Sequence, residues 1–139
     1  MAGTARETKV WQEAIGLAGD VIRVVRRATR RETKAFTDAL MLSASAAASA
    51  IAEAPTRPTP AEERECYARA RKSLVAVDTQ LAIARNSGII PASVHAQLSA
   101  RVAALSQRVS NHMNHVDRHV AAVAERSPTG SLPLLADVQ

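Results

Sequence analysis

Apolar residues recur along this chain at the three- and four-residue steps that are typical of amphipathic helices. Glycine is scarce, and β-rich runs flanked by turn signals, which indicate strands, are absent. Period and punctuation predict four helices: residues 6–31, residues 35–54, a third from Pro60 to a cap at residues 86–88, and a fourth after Pro91. The fourth is long, about 33 residues or about 50 Å. The chain is therefore expected to be all-α.

The first predicted helix carries two adjacent apolar stripes. The first stripe is Val10, Ala14, Leu17, Val21, Val24 and Ala28. One bundle interior needs a single apolar face, and an excess apolar surface usually marks an interface. The second stripe is therefore the candidate contact between copies of the chain: Trp11, Ile15, Ala18, Ile22 and Val25. Thr4 and Glu7 have the spacing of a capping box just upstream.

The second predicted helix is built mainly from small residues. Residues 43–50 contain only Ser and Ala, while Leu40 and Ile51 flank them at helical steps. Small side chains let helix backbones approach closely, and the retained helical step favours this interpretation over a poorly specified low-complexity helix. Three prolines then end the helix: Pro55, Pro58 and Pro60.

The third and fourth helices have clear seams. Thr59 and Glu62, with Pro60 at the first helical position, form the strongest start signal in the chain. The third seam is Tyr67, Ala70, Leu74, Val77, Leu81 and Ala84, and residues 86–88 predict its C-terminal cap. The fourth seam is Leu98, Val102, Leu105, Val109, His112, Val116, His119 and Val123.

Short connections between four helices favour an up-down-up-down antiparallel four-helix bundle that self-associates. The bundle is expected over residues 1–126, and residues 127–139 are expected to form a flexible C-terminal tail. Only Cys66 could form a disulfide, the start of the chain lacks the apolar region of a secretory signal, and no run approaches the length of a membrane span. These features predict a cytoplasmic protein that does not engage a membrane.

The positive charge of the chain is concentrated in one segment. The formal net charge is +5. Between residues 23 and 34 lie six cations and one acid, Glu32, so this segment carries the whole excess. The candidate nucleic-acid-binding residues are these six: Arg23, Arg26, Arg27, Arg30, Arg31 and Lys34. Arg23, Arg27, Arg30 and Lys34 are predicted to share one helix face, which fits either sequence-tolerant contact with RNA or DNA phosphates or a solvated face that complements the helix dipole.

Other candidate chemistry is sparse. His112, His115 and His119 are spaced by three and four residues, which can bring two imidazoles to one metal. A closed zinc site needs four ligands, and the sequence does not obviously supply the others. The alternative is that these histidines simply belong to the polar end of a long helix. Cys66 is expected in the first turn of the third helix as a packed thiol, and Glu53 is expected to cap or to pair with an arginine. Catalytic motifs are lacking, so we expect no enzyme activity, no metal and no cofactor.

Three short motifs together resemble a known family. Residues 10–14 (VWQEA), residues 49–53 (SAIAE) and residues 78–81 (DTQL), the last followed by Ala84 and residues 88–90 (GII), resemble conserved blocks of a four-helix-bundle family. That family is related to proteins encoded in intervening sequences of bacterial 23S ribosomal RNA genes. The resemblance implies a homopentamer. It also implies a fold shared with the accessory variability protein of diversity-generating retroelements, a basic pentamer that binds nucleic acid and a reverse transcriptase.

The sequence departs from this family in the second helix. The family usually carries two arginines where Met41 and Leu42 stand, and Pro, Asn and Gly where Ala48, Ala50 and Ala54 stand. Basic charge has gathered on the first helix instead. We therefore expect a non-enzymatic, oligomeric accessory factor that contacts RNA or DNA, and whose protein partner could be a nucleic-acid enzyme such as a reverse transcriptase. The alternative is a protein–protein interaction scaffold, and an enzyme or metal protein using the histidines is the least favoured.

Overall fold

The computed structural model describes residues 8–126. Four helices span α1 (Lys9–Ala28), α2 (Lys34–Glu53), α3 (Pro60–Asn86) and α4 (Ala92–Arg126). Short 3-10 turns occupy Arg31–Thr33 and Ala54–Thr56, and residues 8–126 contain no strand. The all-α prediction with four helices is confirmed. The predicted capping box of Thr4 and Glu7 and the predicted tail lie outside the described residues.

The helices pack around one continuous core. Each helix packs against its neighbours in chain order, and α1 also packs against α4. All six predicted seam residues of α3 are buried, and Leu40, Ala44, Ala47 and Ile51 of α2 are buried with them. The small residues of α2 therefore serve close packing, as predicted.

Side-chain contacts between helices show how α1 and α3 are each aligned with α4. Glu13 pairs with Arg108 at 2.8 Å, and Asp20, further along α1, pairs with Arg101, earlier in α4, at 2.5 Å. Arg64 likewise pairs with Asp117 at 2.8 Å, while Asp78 accepts a hydrogen bond from Ser99 at 2.9 Å. In both pairs of helices, residues later in the first helix contact residues earlier in α4. The helices α1 and α3 therefore each run opposite to α4.

The seam of α4 differs from the prediction near its end. After Val109 the core continues at Met113, which is 5% exposed, and then at Val116. The predicted step of three to His112 is wrong, because a step of four follows Val109. His119 and Val123 are exposed rather than buried. The last ten residues of α4 thus run past its last buried residue.

The helix α2 is more apolar than expected, and the prediction about membrane spans needs a correction. Residues 31–56 could cross a membrane by length and composition alone, with a window of mean hydropathy 1.4. The expectation that no run approaches a membrane span is therefore wrong on those criteria. Seven residues of α2 are buried in the bundle, and the core helix of a soluble protein passes the same test.

Candidate nucleic-acid interface

The connection between α1 and α2 is fixed by threonine hydroxyls. Thr29 adopts an extended backbone, and its amide and hydroxyl both donate to the Val25 carbonyl, at 2.8 and 2.7 Å. Its hydroxyl oxygen lies 2.9 Å from that of Thr37, which is the one fully buried polar side chain among the described core residues. Because Thr29 leaves the helical conformation and its hydroxyl bonds to the Val25 carbonyl, α1 ends at Ala28 rather than at residue 31 as predicted.

The early end of α1 separates the six predicted cations. Arg23, Arg26 and Arg27 lie on α1, Arg30 lies in the connection, and Arg31 lies in the 3-10 turn. Lys34 is the first residue of α2. The prediction that Arg23, Arg27, Arg30 and Lys34 share one helix face is therefore wrong. The six cations remain close along the chain, but they surround the turn between two helices instead of forming a stripe.

Two of the six cations are neutralised by nearby carboxylates. Arg23 donates to Asp20, and Lys34 pairs with Asp38 at 2.6 Å. Hydrogen bonds from Arg101 and then from Arg23 hold the pKa of Asp20 below its ordinary value. The remaining four arginines have no ion-pair partner among residues 8–126, and all four are exposed. We call these four the basic end of the bundle: Arg26, Arg27, Arg30 and Arg31.

A polar recess separates this connection from the turn between α3 and α4. Its volume is about 460 Å³, and we call it the loop recess. Its lining includes Arg27 and Arg30 from one side and Ser87 and Gly88 from the other. Gly88 has a φ of 81°, and its amide donates to the Arg85 carbonyl at 3.1 Å. Sequence reasoning identified residues 86–88 as a helix cap but missed their place beside the arginines, because a cap motif does not reveal which loop lies next to it.

The predicted contact between copies of the chain is only partly exposed. Ala18 and Val25 are 8% and 0% exposed, so both belong to the core of the protomer. For these two residues the prediction is wrong, because a side chain buried inside the protomer cannot contact another copy. Trp11 packs partly against the core and Ile22 is half-buried, whereas Ile15 remains 46% exposed.

The outward face of α2 is an apolar surface that the prediction overlooked. No charged residue occurs between Asp38 and Glu53. Leu42, one of the positions that departs from the family, is 70% exposed. The outward face, exposed throughout, consists of Ala35, Ala39, Leu42, Ser45, Ala46 and Ser49.

The histidines do not converge on a metal centre in the described part of the chain. No group of three or more His, Cys, Asp or Glu side chains there could hold a metal ion. His112 instead packs against Tyr67, with ring centroids 5.3 Å apart. Burial, and then the neighbouring His115, lower the pKa of His112. Burial raises the pKa of Tyr67 to about 12.

Glu53 and Cys66 form a small polar cluster at the other end of the bundle. Glu53 accepts from Arg69 at 2.5 Å, which lowers the carboxyl pKa and confirms the predicted pairing with an arginine. Cys66 is buried and lies 3.2 Å from the same guanidinium. The helix begins at Pro60 as predicted, but Cys66 is its seventh residue and therefore lies in the second turn rather than the first.

Comparison with known proteins identifies the family of the chain. The family model described as 23S rRNA-intervening sequence protein matches residues 6–111. The chain belongs to this family. Searches of curated proteins and of solved structures gave no match. The family match includes all four arginines of the basic end and both loops of the recess, whereas His112 and the rest of α4 follow it.

Proposed function

We propose that this member of the 23S rRNA-intervening sequence family is a non-enzymatic accessory protein that binds the phosphate backbone of RNA or DNA. The observation that carries the proposal is the basic end, where four exposed arginines surround one turn without carboxylate partners among the described residues. Clustered cations bind nucleic acid by releasing condensed counterions, so the affinity falls steeply with salt.

The aromatic residues favour a sequence-tolerant mode of binding. The chain has one Trp, one Tyr and one Phe. Tyr67 is buried, and Trp11 and Phe36 are partly buried against the core. Single-stranded nucleic acid gains much of its base affinity from exposed aromatic platforms. Contacts to phosphate and sugar would therefore dominate, and they carry no sequence information directly.

The proposed assembly is a homopentamer of up-down-up-down bundles acting in the cytoplasm. The opposite directions of α1 and α3 relative to α4 support this arrangement, and the exposed Ile15 and Leu42 supply apolar surface for contacts between copies. A ring would repeat the basic end around its axis and strengthen its field. The number five, and a nucleic-acid enzyme such as a reverse transcriptase as the partner, follow from the resemblance to the family.

The second candidate function is a protein–protein interaction scaffold without a nucleic-acid role. The uncharged outward face of α2 favours it, because exposed apolar patches often mark protein contacts. The cations at the end of α1 would then interact favourably with the negative end of its helix dipole.

Binding of a short random-sequence RNA, followed by fluorescence anisotropy across a salt series, separates the two. The accessory role predicts binding that weakens with salt and is lost when Arg26 and Arg31 become Glu. The control reverses Arg118 and Arg126, two exposed arginines on the last turns of α4, and should leave most of the binding. Binding that is absent at low salt, or lost equally in both variants, would contradict the accessory role.

A further inference from the structure

The loop recess brings together groups from two turns that are distant in the chain. One side is lined by Arg27 at the end of α1 and by Thr29, Arg30 and Thr33 of the connection that follows. The other side is lined by Ser87, Gly88 and Ile89 of the turn between α3 and α4. Its volume of about 460 Å³ lies within the range of ordinary small-ligand sites. A phosphate group with part of its hydration shell fits easily into such a space.

The charge of the recess is one-sided. Its lining has two guanidinium groups and no carboxylate. Neither Arg27 nor Arg30 has an ion-pair partner among residues 8–126. Arg27 also lines the neighbouring recess between α1 and α4, but that recess contains a carboxylate, Asp20, which pairs with both Arg23 and Arg101. Of the two recesses that Arg27 lines, the loop recess is therefore the one in which an anion meets no carboxylate.

The hydroxyl groups of the recess hold the loops rather than a ligand. Thr29 donates to the Val25 carbonyl, Thr33 accepts from the Arg30 amide at 3.0 Å, and Ser87 donates to the Ile83 carbonyl at 2.7 Å. These bonds fix both turns before any ligand arrives. The donors left for an anion are the two guanidinium groups, whose planar forks match phosphate oxygens well.

We infer that the loop recess holds one phosphodiester group of a bound nucleic acid between Arg27 and Arg30, which makes it the anchoring point of the proposed RNA or DNA contact. This inference rests on the proposed function. A phosphate is favoured over a protein carboxylate because Arg26 and Arg31 extend the positive charge outside the recess, and a polyanionic backbone meets both regions at once.

Matched pairs of substitutions test the anchor. Arg27→Gln with Arg30→Gln removes two charges inside the recess, and Arg26→Gln with Arg31→Gln removes two exposed charges outside it. Because charge-assisted hydrogen bonds are the strong ones, we expect the recess pair to weaken binding of random-sequence RNA about tenfold more than the outside pair. Unchanged circular dichroism melting of both variants ensures that the comparison concerns binding.

A second readout reports the recess itself. Addition of inorganic phosphate should move the amide resonances of Ser87 and Gly88 in the wild type and in the outside pair, but not in the recess pair. If the wild type binds RNA while both pairs lose affinity equally and Gly88 does not move, the anchor is wrong and the proposed function stands. If the wild type fails to bind RNA, the proposed function fails and the anchor fails with it. Equal competition by an oligoglutamate peptide would overturn the choice of a phosphodiester.

Discussion

Arg101 of α4 donates a hydrogen bond of 2.5 Å to Asp20 of α1, and Asp20 also accepts a hydrogen bond from Arg23. One carboxylate thus ties two helices together and neutralises the first of the six cations that the sequence places in a row. This relationship sets the border of the basic end, because the uncompensated arginines begin only after it. The charge available to a polyanion is therefore smaller, and more localised, than the sequence alone implies.

Substitution Asp20→Asn should strengthen nucleic-acid binding. It removes a negative charge and releases Arg23 and Arg101, so we expect affinity for random-sequence RNA to rise by about two- to fivefold at low salt. The stability should fall by less than about 1 kcal/mol, because exposed ion pairs contribute little. Fluorescence anisotropy and urea unfolding measure the two effects.

The control for Asp20→Asn is Glu13→Gln. Glu13 forms the other ion pair between α1 and α4, with Arg108, two turns further from the basic end. The change in net charge is the same in both variants. An equal gain in affinity from Glu13→Gln would show that only total charge matters and would contradict the localised border.

The local signals in the sequence were the reliable ones. Thr59 accepts from the Glu62 amide at 3.2 Å, and Gly88 closes α3 with a positive φ, because such caps depend on a few adjacent residues. The end of α1 was not predictable in this way. Thr29 takes an extended backbone there, and its hydroxyl contacts Thr37, eight residues further along the chain, a contact that local propensity does not reveal.

The candidate site depended on tertiary neighbours even more strongly. After Val109 the next core residue could be His112, three residues on, or Met113, four residues on, and both spacings suit a helix. Packing against the other helices decides for Met113. Likewise nothing in the spacing of Arg27 and Gly88 reveals that their two turns adjoin. The sequence could therefore supply the cations, but not which of them are neutralised or which loop faces them.

Substitution Ala47→Leu should destabilise the bundle by about 1–3 kcal/mol, because a larger side chain does not fit a well-packed core. Ala47 is 2% exposed, on the face of α2 that the core covers. Urea unfolding followed by circular dichroism measures the loss. The matched change Ala103→Leu lies on an exposed position of α4 and should stay within about 0.5 kcal/mol of the wild type. Equal effects of the two changes would contradict close packing of α2.

The contact between Tyr67 and His112 should make stability depend on pH. Burial lowers the pKa of His112 below the ordinary histidine value of 6.5. As the pH falls through that value the unfolded chain takes up a proton before the folded one does, so the free energy of unfolding falls with it. The contribution is fully present above the unfolded value and is lost in the window just below it.

The variant His112→Phe tests this source of pH dependence. It keeps a ring against Tyr67 but cannot be protonated, so its free energy of unfolding should change less between about pH 7.5 and about pH 5.5 than that of the wild type. His119→Gln, at an exposed position of the same helix, serves as the control and should keep the wild-type dependence. A wild-type slope in His112→Phe would assign the pH dependence to other groups.

Gly88 should tolerate asparagine better than alanine. Its φ of 81° lies in the left-handed region, and a Cβ built there meets nothing within 4 Å, so backbone strain alone opposes a side chain. Gly88→Ala should therefore cost about 1–2 kcal/mol, and Gly88→Asn less, because asparagine enters this region more readily. Urea unfolding of both variants gives the order. If alanine proved the milder change, the turn would have to leave the left-handed conformation, and the hydrogen bond from the Ile89 amide to the Ala84 carbonyl, 2.8 Å long here, would be lost with it.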